Sequence, residues 1–254
     1  MRHPPKQPTA TGTPYRMVVV QDMPQTCPYL PDQIARMPLQ LPVVPIDPGF
    51  TDWTLDRGYR RSGDFVYRTR CAECQECQPT RIRVDDFRWT RSFRRVFKRG
   101  QRDLIQHWDR PVVTEDRVNL FNRHRTVRGL DHTDEAVDSH AYHAFLISSF
   151  GQVDEWSVWD GDRLIGISIV DVGQDCLSAV YTMFDPDYSR YSLGTYAILQ
   201  QIVRAQREKL SFVYLGMYVK DNPHLNYKAR FGPQERLRDG AWSTFDRETL
   251  TDQP

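Results

Sequence analysis

The chain has 254 residues, enough for one large or two modest cores, and its 39% hydrophobic content is low but globular. No stretch approaches the roughly 20 apolar residues of a membrane-spanning helix, and the Pro- and Thr-rich start is not a charged-then-apolar signal, so a soluble, cytoplasmic protein is expected. The net charge of +1 conceals fourteen Arg and Lys against five Asp and Glu in residues 57–102, a net +9 that leaves −8 elsewhere, which points to a polyanionic partner.

Residues 1–20 lack periodicity and read as a flexible tail. Prolines at 31, 38, 42, 45 and 48 make the next stretch an extended connection. Residues 51–57 suit a short helix ended by Gly58, and Arg60-Arg61-Ser62-Gly63-Asp64-Phe65-Val66-Tyr67 reads as a turn into a strand. Cys71, Cys74 and Cys77 follow with two residues between neighbours, a spacing that lets consecutive thiolates converge on one ion or cluster. Five cysteines, an odd count, argue against a secreted disulfide scaffold. Three ligands need a fourth, and Cys27 suits the place because Cys176 sits in a strand pattern and behaves as a small buried hydrophobe. An iron-sulfur cluster is the expected occupant, with structural zinc as the alternative.

A strand is expected at residues 81–84, then a helix capped by Ser92 and running to Arg102. Phe93, Val96 and Phe97 form its apolar side. Its other side is Arg91, Arg94, Arg95, Lys98, Arg99 and Arg102, almost without acidic residues, which suits RNA phosphates. Residues 107–111 read as a linker. A helix from Thr114 to Arg128, ended by Gly129, buries Val118 and Phe121. A second, over about 134–149, buries Val137, Ala141, Ala144, Phe145 and His140. Residues 155–159 and 164–170 form a hairpin around Asp160-Gly161.

The strand over 176–184 alternates Leu177, Ala179, Tyr181 and Met183 against Ser178, Val180 and Thr182, and stops at Asp185-Pro186-Asp187. Ser192 caps a helix reaching Lys209, and residues 212–219 form a buried strand parallel to the first. The turn Ser192-Leu193-Gly194-Thr195 thus lies at a strand's carboxyl end and a helix's positive end, suited to a phosphate or oxyanion. Two helices, a three-strand meander, a helix and a parallel strand is an α+β layout of acetyltransferase-like (GNAT-type) form. It places this domain at 107–254 and a small Cys-rich, basic domain at 21–106.

Arg60-Arg61-Ser62-Gly63-Asp64-Phe65-Val66-Tyr67, the cysteine cluster, Asp185-Pro186-Asp187-Tyr188-Ser189, Ser192-Leu193-Gly194, Tyr214-Leu215-Gly216 and Tyr227-Lys228-Ala229-Arg230-Phe231 resemble the N-end aminoacyl-tRNA protein transferases. The length and Ala229 resemble the bacterial branch, which moves leucine from leucyl-tRNA onto proteins beginning with Asp or Glu; the longer arginyl branch carries Gly there. Leu30 stands where the eukaryotic proteins have a second cysteine, so Cys71 replaces it in the ligand set Cys27, Cys71, Cys74 and Cys77. Asn222 stands where the family often has cysteine, and no chemistry is assigned to it.

The resemblance implies an aminoacyltransferase of the N-degron pathway, acting as a monomer on aminoacyl-tRNA and on acceptors with N-terminal Asp or Glu, without coenzyme A. Asp185 or Asp187 would take the acceptor's proton, with Tyr188 and Ser192 at the reacting centre. Lys228 and Arg230 would read the acidic side chain, with Tyr181 and Gly194 lining the cleft. An arginyl transferase, an acetyl-coenzyme A enzyme and a metal-containing RNA-binding module without activity are the alternatives.

Overall fold

The structure, a computed structural model, describes residues 15–43, 46–130, 135–147 and 151–245. The strands and helices are β1 (Met17–Gln21), β2 (Pro24–Thr26), β3 (Ile34–Arg36), β4 (Leu39–Pro42), α1 (Pro48–Asp56), β5 (Arg60–Ser62), β6 (Phe65–Tyr67), β7 (Gln78–Arg83), α2 (Arg91–Asp103) and β8 (Ile105–Asp109). They continue with α3 (Glu115–Val127), α4 (Ser139–Leu146), β9 (Gln152–Asp160), β10 (Arg163–Val172), β11 (Cys176–Phe184), α5 (Leu193–Glu208), β12 (Phe212–Tyr218), β13 (Gln234–Arg238) and β14 (Ala241–Phe245).

Eight strands form one sheet in the order β14-β13-β7-β12-β11-β10-β9-β8. Only β11 and β12 pair in parallel within it, joined through α5; the others are antiparallel, so the fold is mixed α/β on a large mixed sheet. The meander β9-β10-β11 and the parallel return to β12 are those read from periodicity. α3 and α4 cover one face, where Leu120, Phe121, Tyr142 and Leu146 meet Val153, Ile167, Ile169 and Met183. α5 covers the other, with Ile198, Leu199 and Ile202 against Val170, Leu177 and Val213. Each such fully buried aliphatic side chain contributes about 1.5–3 kcal/mol. α2 lies directly on α5: a Cβ at Gly100 would stand 2.5 Å from the Tyr196 ring.

Several expectations change. Residues 17–20 belong to β1, which pairs with β4, so the expected tail does not reach residue 20; its first 14 residues lie outside the described ones. The Pro-rich connection contains β3 and β4, and β1-β4-β6-β5 form a second sheet. β7 and α2, on the N-terminal side of the expected boundary, are built into the large sheet and its cover. The helix cap is Thr90, whose Oγ1 accepts from the Phe93 amide at 3.2 Å, rather than Ser92. The expected linker at 107–111 is largely the edge strand β8, paired with β9 from Ile105 to Asp109.

α4 starts later than expected, because Asp138 caps it by accepting from the Ala141 amide at 2.7 Å. It buries Tyr142 and Leu146 and leaves His140, Ala141, Ala144 and Phe145 exposed; the expected ends at 134 and 148–149 lie outside the described residues.

Candidate active site

The central strands part as their pairing runs out. β11 and β12 pair only at Cys176 with Phe212, Leu177 with Val213 and Ser178 with Tyr214. β12 then turns on Gly216, whose φ of +83° is open to glycine at little cost, and its register with β7 slips between Tyr214 and Gly216. The space left is a cavity of about 1230 Å³. Its described lining carries six Arg and Lys side chains, Arg60, Arg61, Arg125, Arg128, Lys228 and Arg230, against two acidic ones, Asp64 and Asp171. One wall is aromatic: Tyr181 packs on Phe121 at 5.4 Å and on Phe145 at 5.7 Å between ring centroids.

At the helix end of the cavity the chain runs from β11 through a 3₁₀ turn, Pro186–Tyr191, into α5. Ser192 adopts left-handed backbone (φ 52°, ψ 52°), and its hydroxyl makes no cap hydrogen bond, so it is not the ordinary N-cap its residue type suggests. The first intrahelical bond runs from the Tyr196 amide to the Ser192 carbonyl. The amides of Leu193, Gly194 and Thr195 therefore precede the helical ladder and lie at its positive end. Ser192, Gly194 and Thr195 line the cavity.

Asp185, Asp187 and Tyr188 do not. Asp185 is buried at the end of β11, where its carboxylate accepts from Arg163 Nη2 at 2.6 Å and lies 3.3 Å from Arg123 Nε. It also accepts from the Asp187 amide at 3.1 Å. Asp187 is exposed and holds Arg123 Nη2 at 2.6 Å. Tyr188 lies under Arg163 and stacks on Tyr191, its phenol pushed up by desolvation and by a hydrogen bond to Asp160. These three form a charged brace beneath the turn.

Opposite the α5 terminus lies the 3₁₀ turn Asn226–Arg230. Lys228 is buried within it, its Nζ donating to the Met217 carbonyl at 2.6 Å. Desolvation, with Arg60 as second cause, draws its pKa down to about 7. Arg230 is exposed at the rim. Arg60, on β5, is buried as well and donates to the Gly216 carbonyl at 3.1 Å and the Tyr59 carbonyl at 2.6 Å.

Sequence reasoning assigned no role to Arg60, nor to the part of the cavity lining at Arg128. There Arg128 donates to His224 Nδ1 at 3.0 Å and lies over Phe184. Desolvation pulls His224 down and His124 to about 4, so both rings are neutral near pH 7. The spacing of His124 and Arg128, four residues apart across the last turn and C-cap of α3, was the available signal.

Outside the cavity, Arg91, Arg94, Arg95, Lys98, Arg99 and Arg102 line one shallow groove along α2. Arg99 donates to the Arg190 carbonyl, which ties this stripe to the turn leading into the cavity. Arg102 is paired with Asp103 at 2.6 Å. Cys27, Cys71, Cys74 and Cys77 are all half-buried with free thiols, and Cys77 is pushed up to about 12 by burial and then by the other three. The four therefore share one neighbourhood, yet among the described residues no three His, Cys, Asp or Glu side chains stand where they could hold one metal ion. As arranged, the thiols do not form a ligand cage. Cys176 is fully buried in a separate cluster with Leu55 and Tyr214, as expected.

Residues 25–95 match the family described as "Arginine-tRNA-protein transferase, N terminus", and residues 116–238 its "C terminus" counterpart. A protein of Nitrosococcus oceani named aspartate/glutamate leucyltransferase is 39% identical over 87% of this chain and 92% of its own length. One of the same name from Pseudomonas savastanoi pv. phaseolicola is 36% identical over 91% of this chain and 97% of its own. Among solved structures, L-PGS from Bacillus licheniformis aligns with a TM-score of 0.44 at 10% identity, over 60% of this chain and 50% of that one.

Proposed function

The chain belongs to the arginine-tRNA-protein transferase family, and we propose that it transfers leucine from leucyl-tRNA to the N-terminal α-amine of proteins beginning with Asp or Glu, marking them for N-degron degradation. The observation that carries this reading is the 39% identity, across nearly the full length, to a protein named for that activity. A cavity with six cations at the parting of β11 and β12 supports it, because both the tRNA end and the acceptor side chain are anionic.

The reaction is aminolysis of an ester. The acceptor nitrogen bonds to the aminoacyl carbonyl carbon, the bond from that carbon to the terminal ribose oxygen breaks, and a proton passes from the amine to the departing oxygen. The ester is already activated, so positioning can supply on the order of 7–11 kcal/mol of the barrier. The α5 amides are suited to the negative charge that develops on the carbonyl oxygen, with Ser192 and Gly194 shaping the approach. Asp185 has a positioning role in this scheme: braced by Arg123 and Arg163, with Asp187 and Tyr188 beside it, it fixes the turn that delivers Ser192. The aromatic wall at Tyr181 suits the leucyl side chain.

The tRNA body lies along α2 and reaches the cavity past Arg190, a path supported by the continuity of that stripe with the turn. We assign the sheet with α5 to an acetyltransferase-like (GNAT-type) architecture, supported by the divergence of β11 and β12 at a helix N-terminus. The donor is aminoacyl-tRNA rather than coenzyme A, since Ser192-Leu193-Gly194-Thr195 lacks glycine-rich spacing and the cations of α2 suit a long polyanion. Among the described residues, no helix is long and apolar enough to cross a membrane, which is compatible with a cytoplasmic enzyme.

The test is incubation of the purified chain with leucyl- or arginyl-tRNA and an Asp-initiated peptide. Mass spectrometry should show leucine added and arginine not. Extension by arginine alone, or no extension, would overturn the proposal.

A further inference from the structure

We propose that Arg60 and Lys228 together form the pocket for the carboxylate of the acceptor's first side chain, Arg60 being its principal reader. This deepens the transferase reading and rests on it. The two side chains come from opposite ends of the sequence and meet at consecutive carbonyls of one bulged strand: Arg60 Nη2 at Gly216 and Lys228 Nζ at Met217. Both are 7% exposed, and both line the cavity. Glycine at 216 is called for by its φ of +83°, since a Cβ there would make only ordinary contact, 3.5 Å, with Lys228 Nζ.

Other poorly exposed arginines on the two sheets and the covering helices have carboxylates. Arg61 is held by Asp171 at 2.7 Å, Arg81 by Glu235 at 2.6 Å, Arg117 by Glu155 at 2.7 Å and Arg204 by Asp154 at 2.7 Å. Arg236 has none among the described residues but lies outside the cavity, between the rings of Tyr218 and Phe245. Among the described residues no carboxylate pairs with Arg60 or Lys228, and Arg60 Nε is buried without a hydrogen-bond partner.

Among the described residues a buried guanidinium and a buried amine here find only peptide carbonyls as hydrogen-bond acceptors, so holding positive charge at both carries a large desolvation penalty, which an arriving anion relieves. Of the reaction's participants, the leucyl group brings no anion. The tRNA brings phosphates, which surface cations such as those of α2 contact readily. A short carboxylate side chain is the anion that fits a deep pair, and a guanidinium can hold it through two parallel bonds. Arg230, exposed at the rim, is left to guide the acceptor or the tRNA end.

The experiment measures binding of peptides beginning with Asp, Glu, Asn or Gln to the full chain by fluorescence anisotropy, beside leucyl-tRNA binding and leucine transfer, in wild type, Arg60→Met and Lys228→Met. Arg60→Met should weaken Asp and Glu peptides at least about thirtyfold, leave Asn and Gln peptides nearly unchanged, and leave tRNA affinity as it was. Lys228→Met should act in the same direction. Should Arg60→Met fail to fold, Arg60→Lys, which keeps a cation without the fork, carries the test with an intermediate loss. Undiminished preference for Asp over Asn in folded variants overturns the assignment. A parallel loss of tRNA binding overturns it too, and gives the pair to a phosphate. Failure of the transferase reading itself is separate: wild type would then extend no peptide at all.

Discussion

Lys228→Met should make the protein more stable at neutral pH while impairing it. In the unfolded chain the lysine titrates at 10.5, and in the folded protein near 7. Between these values the unfolded chain holds one more proton than the native one, so the wild type's unfolding free energy climbs with pH by about 1.4 kcal/mol per pH unit. The stabilising effect of alkali is complete above 10.5 and is lost as pH falls through about 7; at pH 7 the buried amine costs the wild type about 4 kcal/mol. Methionine removes that cost but leaves the Met217 carbonyl without its donor, which returns about 1–3 kcal/mol. The variant should therefore exceed wild type by about 1–3 kcal/mol at pH 7, and the gap should close by about 1 kcal/mol between pH 7 and 8 and by about 1.3 kcal/mol between pH 8 and 9.

Urea unfolding followed by tryptophan fluorescence at pH 7, 8 and 9 measures this. The neighbours do not blur it: desolvation holds His224 below its ordinary range and His124 near 4, while Arg60 titrates near 10. A gap that stays flat with pH, or a variant less stable than wild type at pH 7, would refute the reasoning and mean that Lys228 is charged and well solvated in the folded protein.

Affinity for leucyl-tRNA should fall steeply with salt, and Arg94→Ala combined with Lys98→Ala should reduce the logarithmic slope by about 1.4–1.8 through two lost phosphate contacts; an unchanged slope moves the tRNA off α2. Asp185→Asn leaves Arg123 and Arg163 facing each other without their shared charge, so turnover should drop and thermal stability fall with tRNA affinity near wild type. If turnover holds and Asp187→Asn abolishes it instead, the brace runs through Asp187. Protein purified without oxygen should carry iron or zinc by elemental analysis, retained in Cys176→Ser and lost in Cys74→Ser. The four thiols of Cys27, Cys71, Cys74 and Cys77, which do not form a ligand cage as arranged, would have to close on the ion, and a metal-free preparation that is folded and active would end that expectation.

The regions legible in the sequence are those whose residue pattern is local. β11 shows a period-2 choice of residue types and stops just before Asp185-Pro186, and α5 repeats apolar residues at helical spacing up to its Lys209 end, so period and punctuation set both their type and their bounds, although burial in the structure follows the packing rather than the period. β8 was opaque because an edge strand is half-buried at best: Ile105 is 52% exposed, and the rest of the strand, Gln106, His107, Trp108 and Asp109, is mostly polar. β1 to β4 have three to five residues each, too few to show a period, and β2 and β4 contain prolines. Ser192 misled as a cap because its side chain type is right, while its left-handed backbone is set by the 3₁₀ turn before it.

The cavity follows a different logic. Its chemistry comes from which charges lack partners, a property of topology rather than of residue type. Arg60 and Arg61 are adjacent on a strand, so the pleat sends them to opposite faces. Arg61 meets Asp171, 110 residues away, and becomes a structural ion pair. Arg60 meets the Gly216 carbonyl, 156 residues away, and keeps an uncompensated charge. The two arginines look alike in the sequence; the bulge at Gly216, far along the chain, decides which one faces a carboxylate of the protein and which one awaits a carboxylate from outside. By the same reasoning, an Asp or Glu introduced beside Arg60 should stabilise the fold and abolish the preference for acidic acceptors together, because both effects come from filling one vacant counter-charge.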